Sequence, residues 1–217
     1  MVREVYECAL FRDIPEERAS DIFNRLDGRT KVYQKNETVL SEGAEVRDVG
    51  ILLSGEICKV QYYPEGMEQM FQKLRKSYMV GLEVAMSQKK TSPYSLYTSQ
   101  PTEVCWFPVR YIEEPGILKE ADRLLLYRRI VWFLASEDIR KFRKIEILSA
   151  RSVRDKIEKY MKTQRLRQHS DEFDIEFDRE QLANYLGVNR SVLSHELKEM
   201  EREGLLTVRK NHFILHF

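Results

Sequence analysis

The stretch LANYLGVNRSVLSHELKEMEREGLL, residues 182–206, breaks a helical pattern at one glycine and restarts it two residues later. Upstream, Asp178 with Gln181 three positions on makes a capping-box start, and Leu182, Ala183 and Leu186 form the inward side of a first helix. Gly187 fits a left-handed carboxyl cap, which glycine adopts at little cost. Val188 plugs the turn, and Asn189 caps a second helix whose inward residues are Leu193, Leu197 and Met200, at steps of four and three. Arg190, Ser191, Ser194 and His195 then fall on the outward face of its first turns, while Glu199, Glu201 and Glu203 collect at its far end. Side chains so short and polar do not build a core.

Two helices crossing closely at a glycine turn, with small Ala183 between them, read as a helix-turn-helix. In that motif the second helix enters the major groove by its amino-terminal residues, which must offer hydrogen bonds, and an acidic far end stays away from phosphates. The following LLTVRKNHFILHF, residues 205–217, makes a hairpin around Lys210-Asn211, so the motif is winged and Arg209 and Lys210 stand near the DNA backbone. The candidate DNA contacts are Arg179, Asn189, Arg190, Ser191, Ser194, His195, Lys198, Arg209 and Lys210. The competing reading is an αα-hairpin with a solvated polar face.

Composition leaves that choice open. The 217 residues are 42% hydrophobic and 33% charged with a net charge of +1, the profile of a globular protein able to bury a core. From Leu148 onward, 13 Lys and Arg face 12 Asp and Glu, so DNA binding rests on placed charges and not on a basic bulk. The longest apolar run, IVWFLA at 130–135, is too short to span a bilayer, and the opening MVREVYECALFRDIPEER has no apolar leader core. Three widely spaced cysteines, Cys8, Cys58 and Cys105, fit a reducing cytoplasm better than a disulfide framework.

Between Thr30 and Val109 the pattern is strand-like, with turns at Lys35-Asn36-Glu37 and Pro64-Glu65-Gly66 and breaks at Pro101 and Pro108. Short strands at this spacing imply a sandwich or jelly-roll barrel. A helix over about Pro15–Arg25 precedes it, with Ala19, Ile22, Phe23 and Leu26 on one face. After Pro115-Gly116, Leu118, Ala121, Leu125, Arg128, Trp132, Ala135, Ile139 and Phe142 recur at alternating steps of three and four. That is a coiled-coil-like seam interrupted by one arginine. A second face, Ile117, Leu124, Tyr127, Val131 and Leu134, is expected on the barrel. So long a helix is either shared by a dimer, with Leu118, Ala121, Leu125, Trp132, Ala135, Ile139 and Phe142 at the interface, or buried within one subunit. A boundary is expected near Arg143–Ser149, then a helix with Val153, Ile157, Tyr160 and Met161 inward.

The sequence here resembles the CRP/FNR superfamily of bacterial transcription regulators over nearly its whole length. LANYLGVNRSVLSHELKEMEREGLL is similar to the family pattern L-A-x-x-L-G-x-S-R-x-T-V-S-R-x-L-x-x-L-E-x-x-G-L-I, and VYQKNETVLSEGAEVRDVGILLSGEI resembles the family's first barrel strands, with a hairpin at Gly55. The resemblance implies an α+β fold: a jelly-roll effector-sensing β-barrel at 1–114, a long dimerisation helix and hinge at 115–145, and a winged helix-turn-helix at 146–217. It implies a cytoplasmic homodimer on near-palindromic double-stranded DNA that recruits or blocks RNA polymerase, with no membrane partner. Two departures matter. Where the family's cyclic-nucleotide cassette has G-E-L and then Arg-Ser, this chain reads Gly81-Leu82-Glu83 and Ser92-Pro93, with no arginine between Arg75 and Arg110. Without the bidentate clamp on the phosphate, cyclic AMP is not expected to bind. On the second helix, Ser191 and His195 stand where the family often has Glu and Arg, so the familiar half-sites are not expected either.

The effector, if sensing is retained, is a small molecule of unidentified class, and its candidate contacts are Gly81, Glu83, Ser92 and Tyr94 with Arg128, Arg129 and Trp132 of the long helix. A four-thiolate iron–sulfur site is impossible with three cysteines. All four histidines lie beyond residue 168, so a cupin-like metalloenzyme is not expected, and no cofactor or metal is assigned. His212 and His216 are expected at the surface or on phosphate, and the barrel aromatics, Tyr62 and Tyr63 among them, mostly in the core. The alternative from another class is a sensor or protein-interaction module whose winged helix no longer binds DNA.

Overall fold

The computed structural model describes residues 3–66 and 68–217; Met1 and Val2, part of the opening read above, lie outside them. The chain separates into two compact units, Met1–Tyr62 with Phe71–Asp138, and Tyr63–Met70 with Ile139–Phe217.

The first unit starts with α1 (Arg3–Tyr6) and α2 (Glu16–Arg25). Helix α2 has Glu16 and Glu17 in its first turn and Arg25 in its last, matching the helix dipole, and buries Ala19 and Ile22 as the spacing predicts. Strands β1 (Arg29–Tyr33), β2 (Thr38–Leu40), β3 (Asp48–Ser54), β4 (Ile57–Tyr62), β5 (Glu68–Leu74), β6 (Met79–Val80), β7 (Ser95–Thr98) and β8 (Thr102–Pro108) follow, with α3 (Leu82–Ala85) between β6 and β7. They form two four-stranded sheets, ordered β1-β8-β3-β6 and β2-β7-β4-β5. The pairings are antiparallel, giving the jelly-roll-like architecture the strand spacing implied. At the β3–β4 hairpin Gly55 has φ +87°, and a Cβ there would run into Thr102 and the Pro101 carbonyl, so only glycine fits. Phe11, Ile22, Leu26, Ile51, Leu52, Leu53 and Phe107 fill the core. Cys58 and Cys105 lie buried on β4 and β8, and burial pushes the Cys8 thiol up to about 12. These three are packed as small hydrophobes. Tyr62 and Tyr63, expected in the core, are exposed beside the β4–β5 turn.

Helix α4 (Arg110–Glu113) leads to α5 (Glu120–Leu148), 29 residues long. Of the side expected on the barrel, Ile117, Tyr127 and Leu134 pack against the core as the spacing predicts, and Leu124 and Val131 do not. Leu126 and Ile130 are buried in the core with Tyr127, Phe133 and Leu134 packed against it, whereas Leu124 and Val131 are exposed. The line of burial runs through two charged residues that a hydrophobic pattern skips. Asp122 accepts a hydrogen bond from Arg18 at 2.6 Å, and Glu137 accepts one from the Tyr78 hydroxyl at 2.7 Å. Leu118 precedes the helix and is taken up in the core, so it is not part of the exposed seam. Ala121, Arg128, Trp132, Ala135, Ile139 and Phe142 are exposed and Leu125 is half-buried. Trp132, Ile139 and Phe142 keep 53%, 57% and 62% of their surface open, a continuous apolar stripe without cover in the single chain. Helix α5 runs on to Leu148, so the break expected at 143–149 falls at residues 149–152.

The second unit holds α6 (Val153–Gln168), β9 (Glu172–Asp174), α7 (Arg179–Leu186), α8 (Arg190–Arg202), β10 (Leu206–Arg209) and β11 (His212–Leu215), with the strands ordered β10-β11-β9. Ser152 and Asp155 form a capping box that starts α6, and Ile157, Tyr160 and Met161 are its buried side. Beside the end of α7, the buried Lys144 donates to the carbonyls of Tyr185 and, at 3.3 Å, Met70, with its ammonium over the Tyr185 ring. Burial, followed by the nearby Lys156, pulls its pKa down to about 6.

Candidate nucleic-acid interface

The α7–α8 pair is built by its caps. Asp178 accepts from the Gln181 backbone N–H at 2.8 Å, while its own N–H donates to the Gln181 side chain at 3.2 Å. Gly187, at φ +62°, donates to Asn184 O, and the Val188 N–H donates to Ala183 O at 3.1 Å, so the last carbonyls of α7 are satisfied. Leu182, Ala183 and Leu186 of α7 and Leu193, Leu197 and Met200 of α8 are all buried, and the two helices pack against each other. Asn189 takes the N-cap position in an extended conformation, yet its side chain makes no capping bond.

The polar row runs from the start of α8 over about its first two and a half turns. Arg190, Ser191, His195 and Lys198 are exposed, and Ser194 is half-buried. On the wing, Arg209 and Lys210 are exposed at the β10–β11 turn, with Lys210 at φ +57°. Among the described residues, Arg190, Lys198, Arg209 and Lys210 enter no ion pair with a carboxylate. Arg179 is placed differently. It donates to the Lys210 carbonyl at 3.3 Å and lies over the Phe213 ring, and burial followed by the nearby Arg190 lowers its pKa. Arg179 therefore ties the wing tip to α7, and its guanidinium is partly spent inside the fold. His212 is partly exposed, and its two ring nitrogens each lie 3.1 Å from an exposed carboxylate, Asp174 and Glu172. His216 follows β11 and pairs with the Thr207 hydroxyl at 3.0 Å.

From Glu196 onward the acids of α8 are occupied. Arg154 on α6 donates through Nε to Glu196 at 2.6 Å and through both terminal nitrogens to Glu203 at 2.7 and 2.9 Å. The Glu203 pair, then Glu196, raises the guanidinium's pKa, and Arg154 holds the Glu203 carboxyl below the usual carboxylate range. Glu199 takes Arg202 at 2.6 Å, and Glu201 accepts the Val208 N–H at 3.1 Å. Sequence reading saw these acids only as a group kept from phosphates. They also fasten α8 to α6 and to the wing, and Arg154, which no spacing rule singles out, is the hub.

Of the residues expected to hold an effector, Glu83, Ser92 and Tyr94 are brought together in one hydrogen-bonded cluster. Glu83 binds Lys59 and accepts from the Tyr94 hydroxyl at 2.8 Å, and the Lys59 ammonium stands 3.8 Å over the Tyr94 ring. Burial would raise the Glu83 pKa, but Lys59 outweighs it and the carboxyl stays ionised. The Ser92 hydroxyl donates to the Tyr94 carbonyl at 2.7 Å. Arg128 is exposed and stacks with Trp132, and Arg129 reaches from the same ring toward Asp13 at 3.9 Å. Gly81, at φ +74°, lines a separate cleft of about 400 Å³ with Arg29, Lys31, Tyr33 and Trp106.

Comparison with known proteins agrees with this architecture. The family described as the cyclic nucleotide-binding domain matches residues 30–114, and the Crp-like helix-turn-helix domain matches residues 156–216. Regulatory protein HlyX of Actinobacillus pleuropneumoniae is 23% identical over 195 residues, covering 87% of this chain and 78% of HlyX. In fold, the chain is similar to the c-di-GMP responsive global regulator CLP of Xanthomonas campestris, with a TM-score of 0.70 at 18% identity over 91% of this chain and 99% of that one. FixK2 from Bradyrhizobium japonicum gives 0.67 at 12% identity over 88% and 93%. With both domain families matched in order and a long helix between them, the chain belongs to the CRP/FNR family of transcription regulators.

Proposed function

We propose that this protein is a homodimeric, sequence-specific DNA-binding regulator whose α8 reads a near-palindromic operator in the major groove. The observation that carries the reading is the polarity of α8. Among the described residues, exposed Arg190, Ser191, His195 and Lys198 enter no ion pair with a carboxylate, and Glu196, Glu199 and Glu203 are paired with Arg154 and Arg202. Arg209 and Lys210 on the wing supply backbone charge, and Asn189 and Ser194 complete the hydrogen-bonding row. Arg179 acts by holding the wing. The uncovered stripe of α5, from Leu125 to Phe142, supports pairing with a second copy, which places two recognition helices at half-sites about one helical turn apart.

In this reading residues 1–114 are the sensing domain, 115–145 the dimer helix and hinge, and 146–217 the DNA-binding domain. The protein works in the cytoplasm beside RNA polymerase, and any effector is a small molecule other than cyclic AMP, taken by contacts that include Gly81 and the Glu83–Tyr94 region. Selection of bound duplexes from a random library by the full-length protein tests the proposal. A near-palindromic site with two half-sites is expected, whereas no enrichment over input DNA would overturn it.

A further inference from the structure

Among the described residues of α7 and α8, Val192 is the exposed large apolar side chain, with 45% of its surface open. It sits between Ser191 and the buried Leu193, one turn before His195 on the same side of the helix. A single exposed valine is ordinary on a solvated face; on a face that enters the major groove it also has a specific partner. Every other base-edge feature in that groove is a hydrogen-bond donor or acceptor, and the C5-methyl of thymine is the one apolar group. A β-branched side chain suits such a contact, since one χ1 rotamer dominates in a helix and its two methyls are held in place without help from neighbours. We propose that Val192 is a specificity-determining residue that reads a thymine methyl within each half-site, beside the hydrogen bonds made by Arg190 and His195. The inference rests on the reading of α8 as the groove-entering helix.

The test replaces single thymines of the selected duplex by deoxyuridine, which removes the methyl and leaves every hydrogen-bonding group. Full-length protein is expected to lose affinity on the order of fourfold at one symmetric pair of positions, the worth of burying about one methyl group. Val192→Ala should bind the thymine and deoxyuridine duplexes equally, and Val192→Thr, nearly isosteric and keeping one methyl, should retain part of the discrimination and serves if the alanine variant folds poorly. Wild-type binding indifferent to deoxyuridine at every position would overturn the proposal, and so would a methyl effect that is undiminished in Val192→Ala or, if that variant folds poorly, in Val192→Thr. Failure of the wild type to bind any duplex would instead remove the DNA-binding reading itself.

Discussion

Arg190 carries the largest expectation placed on a single side chain. Its guanidinium is exposed at the start of α8 and enters no ion pair with a carboxylate among the described residues, so a planar two-donor fork is available to guanine O6 and N7. Arg190→Ala should cost on the order of 1–3 kcal/mol of specific binding and relax selection at one base pair. Equal affinity of wild type and variant for the selected site would refute the assignment. Lys144 is a buried counterpart. Its folded pKa of about 6 lies well below the value near 10.4 of an unfolded lysine, so from pH 6 to 10 the unfolded chain binds the extra proton. Stability should therefore rise with pH across that window, by up to about 1.4 kcal/mol per unit, and flatten below pH 6. Lys144→Met should remove this slope and be the more stable protein at pH 7, because Gln69 Nε2 still donates to the Met70 carbonyl at 3.3 Å. Urea unfolding of both proteins at a series of pH values decides it, and parallel curves would contradict the expectation.

At the scale of elements, α8 is held by its ends and α5 by one side. The start of α8 follows the glycine cap of α7, where a Cβ on Gly187 would need both a left-handed backbone and room against the Gln69 side chain at 3.2 Å. Its end is fastened by Arg154, and the wing by Arg179. Helix α5 buries Leu126, Ile130 and its two partnered acids, leaving Trp132, Ala135, Ile139 and Phe142 on the open side. If that stripe meets its twin, Ala135→Asp places two like charges against each other in a dry seam, which is strongly unfavourable. Sedimentation should then give monomers with the single chain's helical content intact; dimers of the variant would mean that the stripe serves something else. Ala135 is the informative position because it is exposed in the single chain, so the aspartate costs little until a partner arrives.

For the whole molecule the sharpest expectation is a silence: cyclic AMP should neither bind nor change DNA affinity. The matched cassette offers Ser92, whose hydroxyl is spent on the Tyr94 carbonyl, and Pro93, which has no backbone N–H. The nearby ammonium of Lys59 already serves Glu83, and a lysine lacks the bidentate fork. A cyclic phosphate brought into the barrel would be an incompletely paired charge. Calorimetric titration at millimolar nucleotide should show no heat, and micromolar binding would show that Lys59 or another cation had exchanged its partner for the phosphate.

How far the chain could be read without coordinates depends on the range of the forces involved. Caps, turns and apolar spacing act over a few residues, so the helix-turn-helix, the wing and the strand order of punctuation were all legible: Asp178 with Gln181, Gly187, the Leu193–Leu197–Met200 side and the Lys210-Asn211 turn each sit where their local chemistry requires. The same locality makes the polar row on α8 visible. What spacing could not reveal were contacts whose partners are distant in the chain. Arg154 reaches Glu203 across 49 positions, Arg18 reaches Asp122 across 104, and Tyr78 reaches Glu137 across 59. Each of these lets a charged group be buried or anchored where a hydrophobic pattern assigns solvent, which is why the expected barrel-facing side of α5 holds at Ile117, Tyr127 and Leu134 yet misses Asp122 and Glu137. Local sequence determined which elements form; the pairing of charges over long separations, resolved only by the folded chain, decided which faces they turn inward.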